Sequence, residues 1–190
     1  MVTTPPSRST TASAWLLYTA QRDLPNQTAL DRIGDMDQAT SVFDADGRLW
    51  EQEMGPKGGD EVNLIKPGLN YGWPQVSNGS HYDGRDIPDH AAGDGYEAPK
   101  VSWNPVISPG GLIYYSGDLF PQWKGSLFIG GLSSQSLVRV KLDGETASKA
   151  DQWDMGARIR EVEQGPDGAL WLLEDGGKSQ GRLLKLTPAA

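Results

Sequence analysis

One phrase recurs along this chain of 190 residues and limits the folds open to it. Asp-Gly-x-Leu-Trp occurs at 46–50 and again at 167–171, with a looser copy, Lys-Gly-Ser-Leu-Phe, at 124–128. The glycines are 78 and 43 residues apart, close to two periods and one period of the roughly 40 to 50 residues in a propeller blade. Each phrase predicts a turn with a positive-φ glycine, followed by an apolar strand. Repeated small antiparallel sheets are therefore the predicted fold.

The composition agrees with an all-β class. The 24 Gly, 13 Pro and 7 Trp lie among short aromatic and β-branched runs, which is typical of strands joined by tight turns. The runs 137–142 and 182–186 alternate basic and apolar residues, and we expect each to be the outer strand of its sheet. From Gly34 onward about three blades fit, whereas propellers close with four to eight. Three blades leave open sheet edges, which predicts a fragment, a damaged copy or half of a pair completed by a second chain.

Charge and cysteine content exclude several kinds of function. With 25 acidic and 17 basic residues, the net charge is −8, so no basic surface is available for nucleic acid. The absence of cysteine excludes disulfides, thiolate-ligated zinc and iron–sulfur clusters. No apolar run approaches the roughly 18 to 20 residues of a membrane span. Residues 12–20 are apolar but end in a poor cleavage site, so no signal peptide is predicted.

The stretch 51–74 is the densest in groups that can carry chemistry. It combines carboxylates, several glycines and no soft ligand, which suits a hard cation such as Ca²⁺ bound by carboxylate and main-chain oxygens. The Asp-x-Asp-x-Asp-Gly loop of an EF-hand is absent. From spacing alone, a calcium site and a solvated acidic turn both remain open.

The same stretch carries a family resemblance. Gly-Pro-Lys-Gly-Gly-Asp-Glu at 55–61 and Asn-Tyr-Gly-Trp-Pro at 70–74 resemble the pyrroloquinoline quinone (PQQ)-dependent sugar dehydrogenases, the glucose/sorbosone or aldose sugar dehydrogenase family. Further segments resemble the family in the same order: 105–111, 120–128 and 158–162. The resemblance covers 34–190 as the C-terminal half of such a protein and leaves 1–33 as an unmatched N-terminal segment.

The resemblance implies a six-bladed β-propeller, of which about three blades are present here. It implies oxidation of the C1 hydroxyl of an aldose to a lactone, with hydride transfer to PQQ and with Ca²⁺ as a Lewis acid. It also implies a periplasmic or secreted location.

Four residues receive metal roles from the resemblance. The main-chain carbonyls of Gly55 and Pro56 match those that hold the cofactor's Ca²⁺, so both residues count as cofactor-binding as well. Glu61 and Tyr71 match a second, structural calcium site.

Three residues receive cofactor roles. Arg158 and Arg160 match an arginine pair that grips the quinone carboxylates, and their i, i+2 spacing places both on one face of a strand. Trp103 matches an aromatic side chain that lies against the flat cofactor. Without the resemblance, the alternatives are a solvated face with salt bridges for the arginines and a core position for the tryptophan.

The chain departs from the family pattern at the catalytic base. The family places a histidine, followed by an arginine, in a turn just after the position of Gly34, where this chain has Asp35 and Met36, and no histidine precedes His81. No catalytic residue is therefore assigned, although Asp35 can accept a proton as a weaker base. Some members also carry a quinone-contacting lysine where this chain has Ser133.

Two hypotheses follow for the function. The first is a PQQ-dependent aldose dehydrogenase present as a partial copy; the second is a non-catalytic, calcium-binding propeller fragment. A calcium-dependent lactone hydrolase is a third, which leaves the paired arginines unexplained. His81 and His90 lie in a Gly/Asp-rich loop and are expected at the surface, with a role at a substrate mouth as the alternative.

Overall fold

The computed structural model describes residues 40–176 and 180–189. In this part the chain is all-β, with eleven strands in three antiparallel sheets and one short 3-10 helix at Pro121–Trp123. None of the described residues forms a helix long and apolar enough to cross a membrane. The segment 1–33 and positions Asp35 and Met36 lie outside the described residues.

The sheets follow one another along the chain, and each is built from consecutive strands. The first sheet has the order β1-β2-β3-β4. The second has the order β5-β6-β7-β8, and in the third β10 lies between β9 and β11. The strands are β1 Thr40–Phe43, β2 Leu49–Glu53, β3 Asp60–Ile65, β4 Val101–Trp103, β5 Pro109–Tyr114, β6 Ser126–Gly131, β7 Ser136–Asp143, β8 Thr146–Asp154, β9 Ile159–Gln164, β10 Leu170–Glu174 and β11 Leu183–Leu186.

The recurring phrase lies at the same place in all three sheets, between the first and the second strand. Gly47 joins β1 to β2 with φ +79°, and Gly168 joins β9 to β10 with φ +80°. Gly125, with φ +82°, lies directly before β6. A side chain with a Cβ is disfavoured at these angles, so the glycine is a requirement of the turn. The predicted repeat of turn and apolar strand is confirmed.

The predicted outer strand of the second sheet is wrong. Residues 137–142 lie in β7, and β8 pairs with β7 on its outer side. The sequence of β8, Thr-Ala-Ser-Lys-Ala-Asp-Gln-Trp-Asp, has few apolar residues because the strand is mostly exposed. It therefore lacks the hydrophobic alternation that marked β7. In the third sheet, β11 does form an edge of the described sheet, as expected for 182–186.

Most of the described core lies in two apolar layers, one on each side of the second sheet. The layer against the first sheet is centred on Trp50, Val62, Leu127 and Ile129. The layer against the third sheet is centred on Phe128 and contains the side chains on the opposite face of β5, β6 and β7. The inner strands of the second sheet are therefore covered on both faces, and every residue of β6 is buried.

Close backbone contacts align the first strands of the sheets. A Cβ added to Gly110 would lie 2.5 Å from the carbonyl oxygen of Arg160, so glycine allows β5 to approach β9. Gln52 Nε2 donates to the carbonyl of the same Gly110. The end of β2, the start of β5 and the start of β9 therefore lie together. We call this the Gly110 end of the three sheets.

Candidate functional site

A cavity of about 550 Å³ opens beside the segment that follows β2. It brings together all four residues that were given metal roles: Gly55, Pro56, Glu61 and Tyr71. Ser108, directly before β5, lies on its rim and places the cavity at the Gly110 end. Most of the cavity lining therefore comes from the 51–74 stretch that the sequence singled out.

Asp60 fixes the segment that carries Gly55. Its Oδ1 accepts the Gly55 N–H at 3.0 Å, and its Oδ2 accepts the N–H groups of Ile107 at 2.8 Å and Ser108 at 2.6 Å. Burial raises the pKa of Asp60, and the three backbone hydrogen bonds oppose that rise. One buried side chain thus joins the Gly55 segment to the turn before β5. Sequence reasoning missed this role, because only the fold brings 55, 60 and 107 together.

Two glycines let the same segment pack against a second loop. Gly59 has φ +74°, and an added Cβ would lie 2.5 Å from the backbone nitrogen of Gly79. Next to this contact, Lys57 and Ser80 exchange backbone hydrogen bonds of 3.0 Å. The position of the Gly55 and Pro56 main chain is therefore set by backbone contacts and by Asp60 together.

The first sheet carries a group of buried acidic residues on the face opposite its apolar layer. Glu51 and Glu53 on β2 lie across from Asn63 and Glu61 on β3, and none of the four is more than 6% exposed. Asn63 Nδ2 lies 3.2 Å from Glu51 Oε2, 3.2 Å from Glu61 Oε1 and 3.5 Å from Glu53 Oε1. We call these four side chains the carboxylate cluster. Of its members, sequence reasoning selected Glu61 alone.

The electrostatics of the carboxylate cluster favour a compensating positive charge. Burial raises the pKa of Glu51 well above its ordinary value and raises that of Glu61 as well. Glu51 Oε1 and Asn63 Oδ1 are buried without a hydrogen-bond partner among the described residues. An all-oxygen donor set with unsatisfied oxygens fits Ca²⁺.

Side chains alone do not complete a metal site. Within 40–176 and 180–189, no three His, Asp or Glu side chains are arranged so that they could hold a metal ion by themselves. The Tyr71 hydroxyl already donates to Leu64 O and accepts from Lys66 N, both at 2.8 Å. A bound cation would therefore draw on main-chain carbonyls, as the assignment of Gly55 and Pro56 assumes.

Arg158 lies directly before β9 and Arg160 lies near its start, and both side chains reach the same carboxylate. Both donate to Oδ2 of Asp175, from Nε and Nη2 of Arg158 at 3.2 Å and from Nη2 of Arg160 at 2.6 Å. Their side chains are 47% and 51% exposed. The structure thus shows an accessible pair of planar cations at the Gly110 end. Asp175 was not predicted, since it follows Arg160 by a whole hairpin.

Trp103 lies in the apolar layer between the first and second sheets and is 5% exposed. Lys149 Nζ lies 5.2 Å from the centre of its ring. The residue pairs with Asp60 across β3 and β4, so it shares the Gly110 end, but it does not line the cavity. Trp103 therefore occupies a core position, which was the alternative to a cofactor contact.

The histidines and Ser133 have different surroundings. His81 lines the cavity, in agreement with the substrate-mouth alternative. The expected surface position is wrong for His90, whose side chain is 5% exposed and lies 3.8 Å from Asp94 Oδ2. His90 is buried because its loop folds back toward the first sheet and places it near Glu61. Ser133 is exposed, with its Oγ 2.9 Å from Ser108 Oγ on the cavity rim.

Comparison with known proteins gives the family of this chain. Residues 26–185 match the family described as Glucose / Sorbosone dehydrogenase. The chain belongs to this family. The aldose sugar dehydrogenase YliI of Escherichia coli K12 is 41% identical over 145 residues, which is 74% of this chain and 38% of that protein.

Solved structures extend the comparison. The apo-form of the soluble aldose sugar dehydrogenase from Escherichia coli matches with a TM-score of 0.71 at 36% identity, over 78% of this chain and 44% of that one. The PQQ-bound aldose sugar dehydrogenase from Streptomyces coelicolor matches with a TM-score of 0.57 at 28% identity, over 77% and 42%. This glucose/sorbosone dehydrogenase family chain therefore spans less than half the length of these relatives.

Proposed function

We propose that this chain supplies the cofactor-holding part of a PQQ- and Ca²⁺-dependent dehydrogenase for aldose sugars. The observation that carries the proposal is the meeting of two features at one end of the sheets. The segment of Gly55 and Pro56 lies at the Gly110 end, and so does the accessible pair Arg158 and Arg160. A hard-cation site beside a carboxylate-binding site is what a calcium-bound quinone with carboxylate groups requires.

The proposal extends to the architecture. The three sheets are counted as three blades of a six-bladed propeller, with 34–190 as its C-terminal half and 1–33 as a separate segment. Their alignment along β5 and β9 supports a blade-like arrangement. The missing blades would come from a longer protein or from a second chain. We place the protein in the periplasm or outside the cell on the basis of its family.

Each residue has a defined part in this proposal. Gly55 and Pro56 offer main-chain carbonyls to the Ca²⁺ of the cofactor, and Glu61 and Tyr71 hold a second, structural Ca²⁺. The chemistry supplied by the bound cofactor and metal is hydride acceptance from C1 of the sugar and polarisation of the accepting oxygens. The sugar loses that hydride together with its hydroxyl proton and becomes a lactone.

Cofactor binding is assigned to the arginine pair. Arg158 and Arg160 would meet carboxylates with planar, permanently charged donors. Trp103 is not counted among the cofactor contacts in this proposal, because its ring is buried in the core. No described residue is assigned as the base that takes the hydroxyl proton.

A second candidate function is a calcium-binding segment without redox activity. The observation in its favour is the sequence at the expected base, where the histidine of the family has no match and this chain has Asp35 and Met36. The carboxylate cluster also offers a reason to bind a cation that does not depend on the arginine pair. The two candidates differ in what happens after cofactor binding.

The test is a titration of the Ca²⁺-loaded chain with PQQ, followed by an aldose, with the absorbance of the quinone recorded. We expect binding, and replacement of both Arg158 and Arg160 with Ala should weaken it about 100-fold, because several charge-assisted hydrogen bonds are lost. Lys185→Ala is the control, since Lys185 is an exposed cation paired with Asp167 in the turn between β9 and β10, away from the start of β9. Binding without reduction would favour the second candidate. Absence of binding would contradict the cofactor, and equal binding by the double variant would contradict the assignment of Arg158 and Arg160 as its ligands.

A further inference from the structure

Asp175 is anchored opposite the arginine pair by the backbone. It follows β10 directly, and its N–H donates to the carbonyl oxygen of Arg158 at 2.8 Å. Glu174, its neighbour, donates its own N–H to Arg182 O at 2.9 Å and accepts two bonds from the Arg182 guanidinium at 2.7 and 2.6 Å. The main chain at Asp175 is therefore held on one side by β9 and on the other by Arg182.

The carboxylate of Asp175 joins the two arginines through a single atom. Its Oδ2 accepts all three of the recorded bonds, two from Arg158 and one from Arg160. These bonds hold the pKa of Asp175 below its ordinary value, so the group is negatively charged at neutral pH. Each guanidinium has five N–H donors, so most of the donors of the pair are not used by Asp175.

The arginine pair needs such a partner. Two long, half-exposed side chains of like charge repel each other and lose rotamer freedom when both bind one ligand. A carboxylate fixed by the backbone offsets the repulsion and orders both side chains before a ligand arrives. A partner that bonded every N–H group of the two arginines would block a ligand. Asp175 bonds them through one shared oxygen and leaves other N–H groups for a ligand.

We propose that Asp175 is a positioning residue: it orders Arg158 and Arg160 as one unit that receives a carboxylate of the quinone cofactor. This inference rests on the proposed function for the identity of the ligand. It assigns Asp175 no contact with the substrate.

The experiment compares Asp175→Ala and Asp175→Asn with the unchanged chain in PQQ titrations of the Ca²⁺-loaded protein. The alanine variant should bind PQQ about tenfold more weakly. The asparagine variant should recover part of that loss, because its amide oxygen still accepts from both arginines. Asp118→Ala is the matched control: it also removes one negative charge from an exposed ion pair, the one with Lys124, and should bind as the unchanged chain does.

A second readout separates this inference from the proposed function. The Nε–H of Arg158 is one of the bonded donors, so its exchange with water, measured by ¹⁵N NMR, should accelerate in Asp175→Ala and to a lesser degree in Asp175→Asn. Unchanged exchange would overturn the positioning role, even if the unchanged chain binds no PQQ. PQQ binding by Asp175→Ala that equals or exceeds that of the unchanged chain would overturn it too, since Asp175 would then compete with the ligand. Failure of the Arg158/Arg160 double variant to weaken binding would instead remove the arginine pair from the proposed function.

Discussion

The carboxylate cluster of the first sheet and the arginine pair of the third sheet carry opposite charges in opposite environments. Glu51, Glu53 and Glu61 are almost fully buried around Asn63, whereas each arginine of the pair exposes about half of its side chain. Burying an ionised group is costly unless it is neutralised, and a half-exposed charge is compensated by water. The cluster therefore bears on the stability of the fold, and the pair bears on binding.

This difference also separates two ways of preparing a site. The acidic residues lie on strands β2 and β3, so the sheet itself holds them in place, and the energy of holding them together is released when a proton or cation arrives. The arginines have flexible side chains and depend on Asp175 for their order. A substitution in the cluster should change folding, while a substitution in the pair should change affinity.

The largest expected effect is on stability, from Asn63→Leu. Leucine has the same branched arrangement of four side-chain heavy atoms as asparagine but donates no hydrogen bond, so the buried oxygens of Glu51 and Glu61 lose their shared partner. Without added calcium, the free energy of unfolding should fall by roughly 3 kcal/mol, measured by chemical denaturation. Arg160→Leu, the matched change in the pair, should alter it by about 0.5 kcal/mol or less. Similar decreases in the free energy of unfolding of both variants would contradict the view that the cluster affects stability and the arginine pair affects binding.

The next largest effect is a dependence of stability on pH, caused by the carboxylate cluster. Burial raises the pKa of Glu51 well above 4.5, so the folded state holds its proton more tightly than the unfolded state does. Stability therefore decreases as pH rises from about 4.5 toward the raised pKa of the folded state. Calcium-stripped protein should show this decrease in thermal melts at a series of pH values, and Glu51→Gln should reduce it.

Added calcium provides the control for this pH series. If Ca²⁺ binds at Glu61, it replaces the stabilising protons and should make the decrease shallower, in addition to raising the melting temperature at neutral pH. A melting temperature that rises steadily with pH in the stripped protein would show that the buried carboxyls are already compensated. The arginine pair predicts no such dependence, since its cations do not titrate in this range.

Local sequence patterns account for much of the fold. The Asp-Gly-x-Leu-Trp phrase places the turn between the first two strands of each sheet, because a positive-φ glycine and the apolar strand after it are adjacent in the chain. The same holds for Arg158 and Arg160, whose i, i+2 spacing lets both side chains point the same way and reach Asp175. β8 was missed because an exposed strand has no apolar period to detect.

The residues that contact the site residues could not be predicted from the sequence. Asp60 holds Ile107 across 47 residues, and Asp175 meets Arg160 across 15. Such contacts depend on which sheets pack together and in what register, and no local period encodes either. The buried position of Trp103 has the same origin, since β4 brings it against the second sheet.

The smallest expected effect is on PQQ affinity, from a positive charge added at the Gly110 end, which also holds the arginine pair. Ser133 lies exposed at the cavity rim, where some members of the family carry lysine. Because the site is solvated, Ser133→Lys should leave stability nearly unchanged while tightening PQQ binding about twofold to fivefold, as expected for one added exposed cation near an anion. The gain should shrink at high salt, and Ser133→Gln, which adds length without charge, should show none. A salt-independent gain, or one shared by the glutamine variant, would mean that contact area and not charge limits cofactor affinity at this end of the sheets.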